Sequence, residues 1–135
     1  MTLLIDADWL IYSSCCACEQ DIQWDSNLHT LHADERDVHE MVDGRVAHYQ
    51  TIAEGDKNVV MCFTEYPTFR HTIYPEYKAN RKHKRKPLGL RKIIEGVRER
   101  YTSESYAGLE GDDVMSILAS CALRTASAKL YFFFS

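Results

Sequence analysis

Asn58-Val59-Val60-Met61-Cys62-Phe63 is an unbroken apolar run after a single polar residue, and it stops at Thr64 and Glu65. A strand with one face in water alternates apolar and polar side chains. A run without alternation suits a strand buried on both faces, as in a parallel sheet covered by helices. Working outward, Thr2-Leu3-Leu4-Ile5-Asp6 has the same character and ends in a carboxylate, and Lys129-Leu130-Tyr131-Phe132-Phe133-Phe134 reads as a last buried strand. Helical periodicity fills the intervals. Residues 8–19 place Trp9, Leu10, Ser13 and Ala17 near one face, and residues 34–54 carry Val38, Met41, Val42, Val46, Tyr49 and Ile52 at helical spacing. Pro87 suits a helix start, and Leu90, Ile93, Ile94, Val97 and Tyr101 follow it. Val114, Ile117, Leu118 and Cys121 share a face of a helix over 111–125. Residues 20–33 show no period and read as a loop, residues 66–74 as a turn with a short extended piece, and the stretch before Gly108 as a connector. Strands alternating with helices predict an α/β domain with a mainly parallel central sheet flanked by helices.

The 135 residues fit one domain, and a hydrophobic content of 45% is enough to fill its core. No apolar run approaches the ~20 residues of a membrane-spanning helix, so no membrane partner is expected. Asp6 interrupts the opening apolar stretch and no basic segment precedes it, which argues against a secretory signal and for the cytoplasm. The five cysteines, Cys15, Cys16, Cys18, Cys62 and Cys121, are an odd number for a disulfide framework. Cys15 and Cys18 have the spacing of a zinc or redox pair, but no matching second pair accompanies them, so small buried helix residues are expected.

The net charge of −4 conceals a division. Residues 75–100 hold ten Lys/Arg against three Glu, whereas the rest of the chain holds six Lys/Arg against seventeen Asp/Glu. A basic block on an acidic body suggests that one part meets phosphate and another holds cations. Asp6 and Asp8 fall at the carboxyl end of the first strand, where ligands gather in open α/β sheets; a cap on the following helix explains Asp6 equally well. Glu110, Asp112 and Asp113 crowd a helix start, where the helix dipole offsets about 0.3–1 kcal/mol per charge. A hard divalent cation would offset more, and an over-acidic N-cap is the plainer alternative. Glu65 belongs to the same sheet edge, as a further carboxylate of a site or as a surface residue. Residues 78–86 carry six Lys/Arg and no acid beside Tyr77, a pattern that suits phosphate contact with an aromatic for base stacking.

Leu3-Leu4-Ile5-Asp6, Phe63-Thr64-Glu65, Pro75-Glu76-Tyr77-Lys78-Ala79-Asn80-Arg81 and Gly108-Leu109-Glu110-Gly111-Asp112-Asp113, in that order, resemble the phage and bacterial 5′-3′ exonucleases of the flap endonuclease group, which have a PIN-like nuclease fold. The likeness covers roughly residues 2–122, and the Tyr-Lys-x-Asn-Arg and Glu-x-Asp-Asp patterns are its specific part. It implies hydrolysis of DNA phosphodiesters at free or flapped 5′ ends, with RNA in RNA–DNA hybrids as a further substrate, in the host cytoplasm for a phage gene. It implies Asp6, Glu110, Asp112 and Asp113 as metal ligands, and Glu65 in a place where the family usually has Asp. Lys78 matches a catalytic lysine near the scissile phosphate, Arg81 a phosphate-contacting arginine and Tyr77 an aromatic beside the terminal base. Lys82, Lys84, Arg85 and Lys86 fall in an arch or clamp for single-stranded 5′ ends. The implied chemistry uses two Mg²⁺ or Mn²⁺ ions about 3.5–4 Å apart, with Lys78 offsetting charge that develops on the phosphoryl oxygens.

One departure stands out. The family carries a second acidic cluster after the next strand, and later a helix-hairpin-helix element, whereas here no acidic residue follows Asp113. The expectation is therefore the N-terminal part of a catalytic domain over 1–135, incomplete at its C-terminus, with a truncated gene product favoured over a complete small enzyme and a separately encoded second half as another route. A non-catalytic nucleic-acid-binding remnant and a PIN-domain ribonuclease are the competing readings. The strand-end Asp6-x-Asp8 also resembles phosphatases of the haloacid dehalogenase type, but Leu10 replaces their usual Thr or Val and their later motifs are not evident.

Overall fold

The computed structural model of the chain describes residues 2–54, 58–81, 83–124 and 130–133, with 123–124 and 130–133 as backbone. Strands β1 (Thr2–Asp6), β4 (Asn58–Cys62), β5 (Thr102–Glu104) and β6 (Leu130–Phe133) form one sheet in the order β5-β4-β1-β6, with every pairing parallel. Helices α1 (Ala7–Cys18), α2 (Glu35–Ile52), α4 (Leu90–Arg100) and α5 (Gly111–Arg124) supply the crossovers. The α/β class with a parallel sheet flanked by helices is therefore borne out.

The absence of alternation in β1 and β4 has a direct cause. Leu3, Ile5, Val59, Met61 and Phe63 face a core shared with α1, α2 and α4, which contribute Leu10, Ile11, Val38, Val42, Ile93 and Val97. Leu4, Val60 and Cys62 face the other way and meet Val114, Met115 and Ala119 of α5. Each strand is thus apolar on both sides because each side has a helical layer to bury it, at about 25 cal/mol per Å² of apolar surface.

Several local expectations need correction. Residues 20–33 form an antiparallel hairpin of β2 (Gln20–Gln23) and β3 (His29–His32), with Gln20 opposite His32 and Gln23 opposite His29. Both strands are largely exposed, so no face selects an apolar period. The turn instead comes from Asp25, whose Oδ1 accepts from the N–H groups of Asn27 at 2.7 Å and Leu28 at 2.9 Å. Residues 66–74 contain a short helix, α3 (Phe69–Ile73). Helix α4 starts at Leu90, after Gly89 at φ 68°, rather than at Pro87. The connector before Gly108 contains β5, a polar Thr-Ser-Glu strand with no sequence signal of its own, specified by pairing to β4.

The buried stripes of two helices are rotated from the expected faces. In α1 the buried set is Ala7, Leu10, Ile11, Ser14 and Cys15, whereas Ala17 and Cys16 are exposed. In α5 it is Val114, Met115 and Ala119, and Ile117 and Cys121 are exposed. Both helices carry apolar residues around much of their circumference, so the facing sheet decides which side is buried. In α2, Met41 and Ile52 are likewise exposed. The last strand appears where expected and lies beside β1, with Thr2 opposite Leu130 and Ile5 opposite Phe133; Lys129 and Phe134 lie outside the described residues. Among the described residues no helix is long and apolar enough to cross a membrane.

Candidate functional site

Parallel register brings the carboxyl ends of β1 and β4 together, with Asp6 opposite Cys62 and Cys62 opposite Glu104. The chain leaving β4 is then pinned on three sides. Phe63 N–H donates to Glu104 O at 2.9 Å, Thr64 N–H to Asp8 Oδ2 at 2.8 Å, and Glu65 N–H to Leu109 O at 3.0 Å. Thr64 Oγ1 in turn accepts from Gly111 N–H at 3.1 Å, which docks the start of α5 on this edge. Gly111 leaves little room for a side chain: a Cβ there would sit a tight 3.2 Å from Cys62 O and 3.5 Å from Asp6 Oδ1. Glycine between Glu110 and Asp112 therefore lets the acidic helix start press against the strand ends.

Of the two roles left open by the sequence, Asp6 performs that of the helix cap. Its Oδ1 accepts from Trp9 N–H at 3.3 Å and caps α1, and it also faces the acidic start of α5. Burial pushes its pKa up to about 6; the Trp9 N–H opposes the shift, and Asp8 and Asp112 add to it. Asp8 is also raised, chiefly by burial, against its hydrogen bonds from Thr64.

Glu110 and Asp113 already have cationic partners. Lys78 Nζ lies 3.0 Å from both Glu110 oxygens, although 32 residues separate them in sequence. Tyr77 OH donates to Glu110 Oε2 at 3.4 Å. Arg70 clasps Asp113 with two bonds of 2.6 and 2.8 Å, and its Nη1 is 3.7 Å from Glu110. That clasp lowers the Asp113 pKa. For Lys78, burial is the largest single influence and disfavours the charge, but Glu110 and Tyr77 together outweigh it, and the net shift is upward. Lys78 also has φ 55°, a left-handed backbone that non-glycine residues seldom adopt. Arg70 was not singled out from the sequence. Its contact partner lies 43 residues away, and no spacing rule links the two.

The remaining expected residues are more dispersed. Asp112 is exposed and reaches the group through its charge on Asp6, and Glu65 is exposed. Arg81 lies in a 3-10 turn, Ala79–Arg81, and is exposed, as are Lys84 and Lys86. Arg85 turns back to the body, donating to Glu19 at 2.8 and 2.6 Å, while Glu19 also accepts from Leu88 N–H at 2.7 Å. Lys82 lies outside the described residues. Among the described residues no three His, Cys, Asp or Glu side chains gather as a ready metal cage. The donor chemistry nevertheless fits a hard cation at the Asp6 side. There a half-buried carboxylate, its proton affinity raised chiefly by burial and further by its acidic neighbours Asp8 and Asp112, has among the described residues no cationic partner of the kind that Glu110 and Asp113 have.

The chain matches the family described as the 5′-3′ exonuclease, N-terminal resolvase-like domain, over residues 1–132. It is 31% identical over 123 residues to the exodeoxyribonuclease of Enterobacteria phage T3 and, over the same length, 31% identical to the exonuclease of Escherichia phage T7. Each alignment takes in 87% of this chain and 41% of the relative, so the chain spans well under half the length of those proteins. No solved structure matches it.

Proposed function

The chain belongs to the 5′-3′ exonuclease N-terminal domain family, and on that premise we propose that it forms the substrate-gripping and first metal-holding part of a nuclease that hydrolyses DNA phosphodiesters from free or flapped 5′ ends. The observation that carries this reading is the meeting of Lys78 and Tyr77 with Glu110 at the carboxyl edge of the sheet. It joins the basic segment to the acidic one, as a phosphodiesterase centre requires.

Asp6 and Asp112, with Glu110 and Asp113, would hold Mg²⁺ or Mn²⁺, which when bound acts as a Lewis acid and lowers the pKa of water. Lys78 keeps its proton through Glu110 and presents a positive charge to a phosphoryl oxygen. Exposed Arg81, Lys84 and Lys86 neutralise backbone phosphates. Tyr77 offers a ring for the terminal base. Arg85 acts differently in this reading: its clasp on Glu19 anchors the basic segment to the end of α1.

A second reading, a nucleic-acid-binding module without catalysis, is favoured by the Arg70 clasp, which occupies both oxygens of Asp113. Incubation with 5′-labelled flap DNA separates the two. Cleavage that requires Mg²⁺ or Mn²⁺ and stops in EDTA supports the nuclease; tight binding to DNA that stays intact supports the binding module.

A further inference from the structure

Tyr66 and His71 have no part in the carboxylate chemistry, yet they stand beside it. The Tyr66 and His71 rings lie 5.9 Å apart at 66°, and the His71 and Tyr77 rings 5.5 Å apart at 82°. Both contacts are edge-to-face, a favoured aromatic geometry. His71 does not swing freely between them. Its Nδ1 shares a 2.7 Å hydrogen bond with Oγ1 of Thr68, which is fully buried. His71 also follows Arg70, the residue that clasps Asp113, so one short helix fixes the aromatic row and the acidic helix start together.

The outer member of the row is free to meet a ligand. Tyr66 is 66% exposed although its ring meets that of its neighbour His71 edge to face. Its surroundings are charged in a telling way. Burial of its hydroxyl raises the pKa of Tyr66, and the charges of Asp8, Lys78, Glu110 and Arg81 all reach it. Tyr66 thus feels both the carboxylates and the cations assigned to phosphate, and Lys78 Nζ sits 5.0 Å over the neighbouring Tyr77 ring. An apolar ring within reach of phosphate-binding cations matches a nucleotide, whose base is flat and whose backbone is anionic.

We propose that Tyr66, held by His71, is a second stacking surface for an unpaired nucleobase of the substrate strand, alongside Tyr77. The inference rests on the nucleic-acid reading above and extends it to a base-contacting residue that the basic segment does not contain. Tyr66 and His71 are positioning residues: they place the strand and take no part in bond breaking. Base–aromatic stacking at this strength corresponds to a change of roughly five- to 100-fold in affinity.

The test uses the whole chain in EDTA, so that binding is read without cleavage. A flap oligonucleotide carrying 2-aminopurine at its unpaired 5′ positions is titrated at low salt. The wild-type chain is expected to quench the 2-aminopurine fluorescence. Tyr66→Ala is expected to lose much of the quenching and to bind roughly five- to 100-fold more weakly, while Tyr66→Phe restores both. Replacing the unpaired bases by abasic sugars is expected to erase the difference between wild type and Tyr66→Ala, which a general loss of fold would not do. Equal quenching and affinity in wild type and Tyr66→Ala would overturn the inference and leave the nucleic-acid reading standing. Failure of the wild-type chain to bind the DNA at all would overturn both.

Discussion

Replacing Arg70 by alanine tests how the carboxylates are balanced. Arg70 donates two charge-assisted bonds to Asp113, at 2.6 and 2.8 Å, and approaches Glu110 to 3.7 Å. Hydrogen bonds to charged groups contribute about 1.5–3 kcal/mol when sheltered. The Arg70 and Asp113 side chains here retain 30% and 25% exposure, so screening reduces the clasp to about 1–2 kcal/mol. In EDTA, Arg70→Ala should therefore lower Tm by roughly 4–8 °C for a domain of this size. Binding of a divalent ion to the same oxygens requires Arg70 to yield part of its hold. By linkage, its removal should tighten Mg²⁺ or Mn²⁺ binding by the part of that free energy the ion displaces, at most roughly 5- to 30-fold. Differential scanning fluorimetry with and without the ion, together with calorimetric titration, reads both effects. A variant that is less stable but binds the ion no better, or worse, would refute the idea that Arg70 occupies oxygens an ion would use.

Gly111→Ala forces a Cβ to within 3.2 Å of Cys62 O and should destabilise the fold by about 1 kcal/mol net of helix propensity, with weaker ion binding as α5 moves off Asp6; a Tm scan and a Mn²⁺ titration check it. At Lys78, φ 55° predicts that Lys78→Gly is about 1 kcal/mol more stable than Lys78→Ala although both lose the amine, and equal denaturation midpoints would show that the backbone there is not strained. Arg85, then the Leu88 N–H, hold Glu19 down to about 2 from an ordinary 4.5. This carboxylate therefore contributes stability above about pH 4.5 and loses it as the pH falls toward 2, so the Tm advantage of wild type over Glu19→Gln should vanish across that window.

The parts legible in the sequence share a physical basis. The unbroken apolar runs at 3–5 and 59–63 announce the central strands because two helical layers bury both faces. Glu110-Gly111-Asp112-Asp113 announces itself because crowded carboxylates at a helix start need a partner. The parts that stayed hidden depend on tertiary pairing. Strand β5 is a polar tripeptide made a strand by β4, and the β2–β3 hairpin is exposed on both faces, so neither has a period to read. Arg70 looked like one basic residue in a turn; its role follows from a fold that brings α3 to the start of α5. Arg85 is indistinguishable in sequence from Lys84 and Lys86, and the presence of Glu19 at the end of α1 sets it apart. Asp8, which the sequence offers as a strand-end carboxylate beside Asp6, ties the ends of β1 and β4 through the Thr64 N–H, a contact 56 residues apart that no spacing announces.

The account turns on whether the strand-end carboxylates hold a hard cation, and Mn²⁺ titration followed by calorimetry or electron paramagnetic resonance asks this directly. The prediction is saturable binding by the wild-type chain, weakened at least about tenfold in Asp6→Asn, whose Tm in EDTA at neutral pH does not fall below that of wild type, because Asn also caps α1 and the substitution removes a charge that burial disfavours. Absence of saturable binding, or binding that Asp6→Asn leaves unchanged, would contradict it.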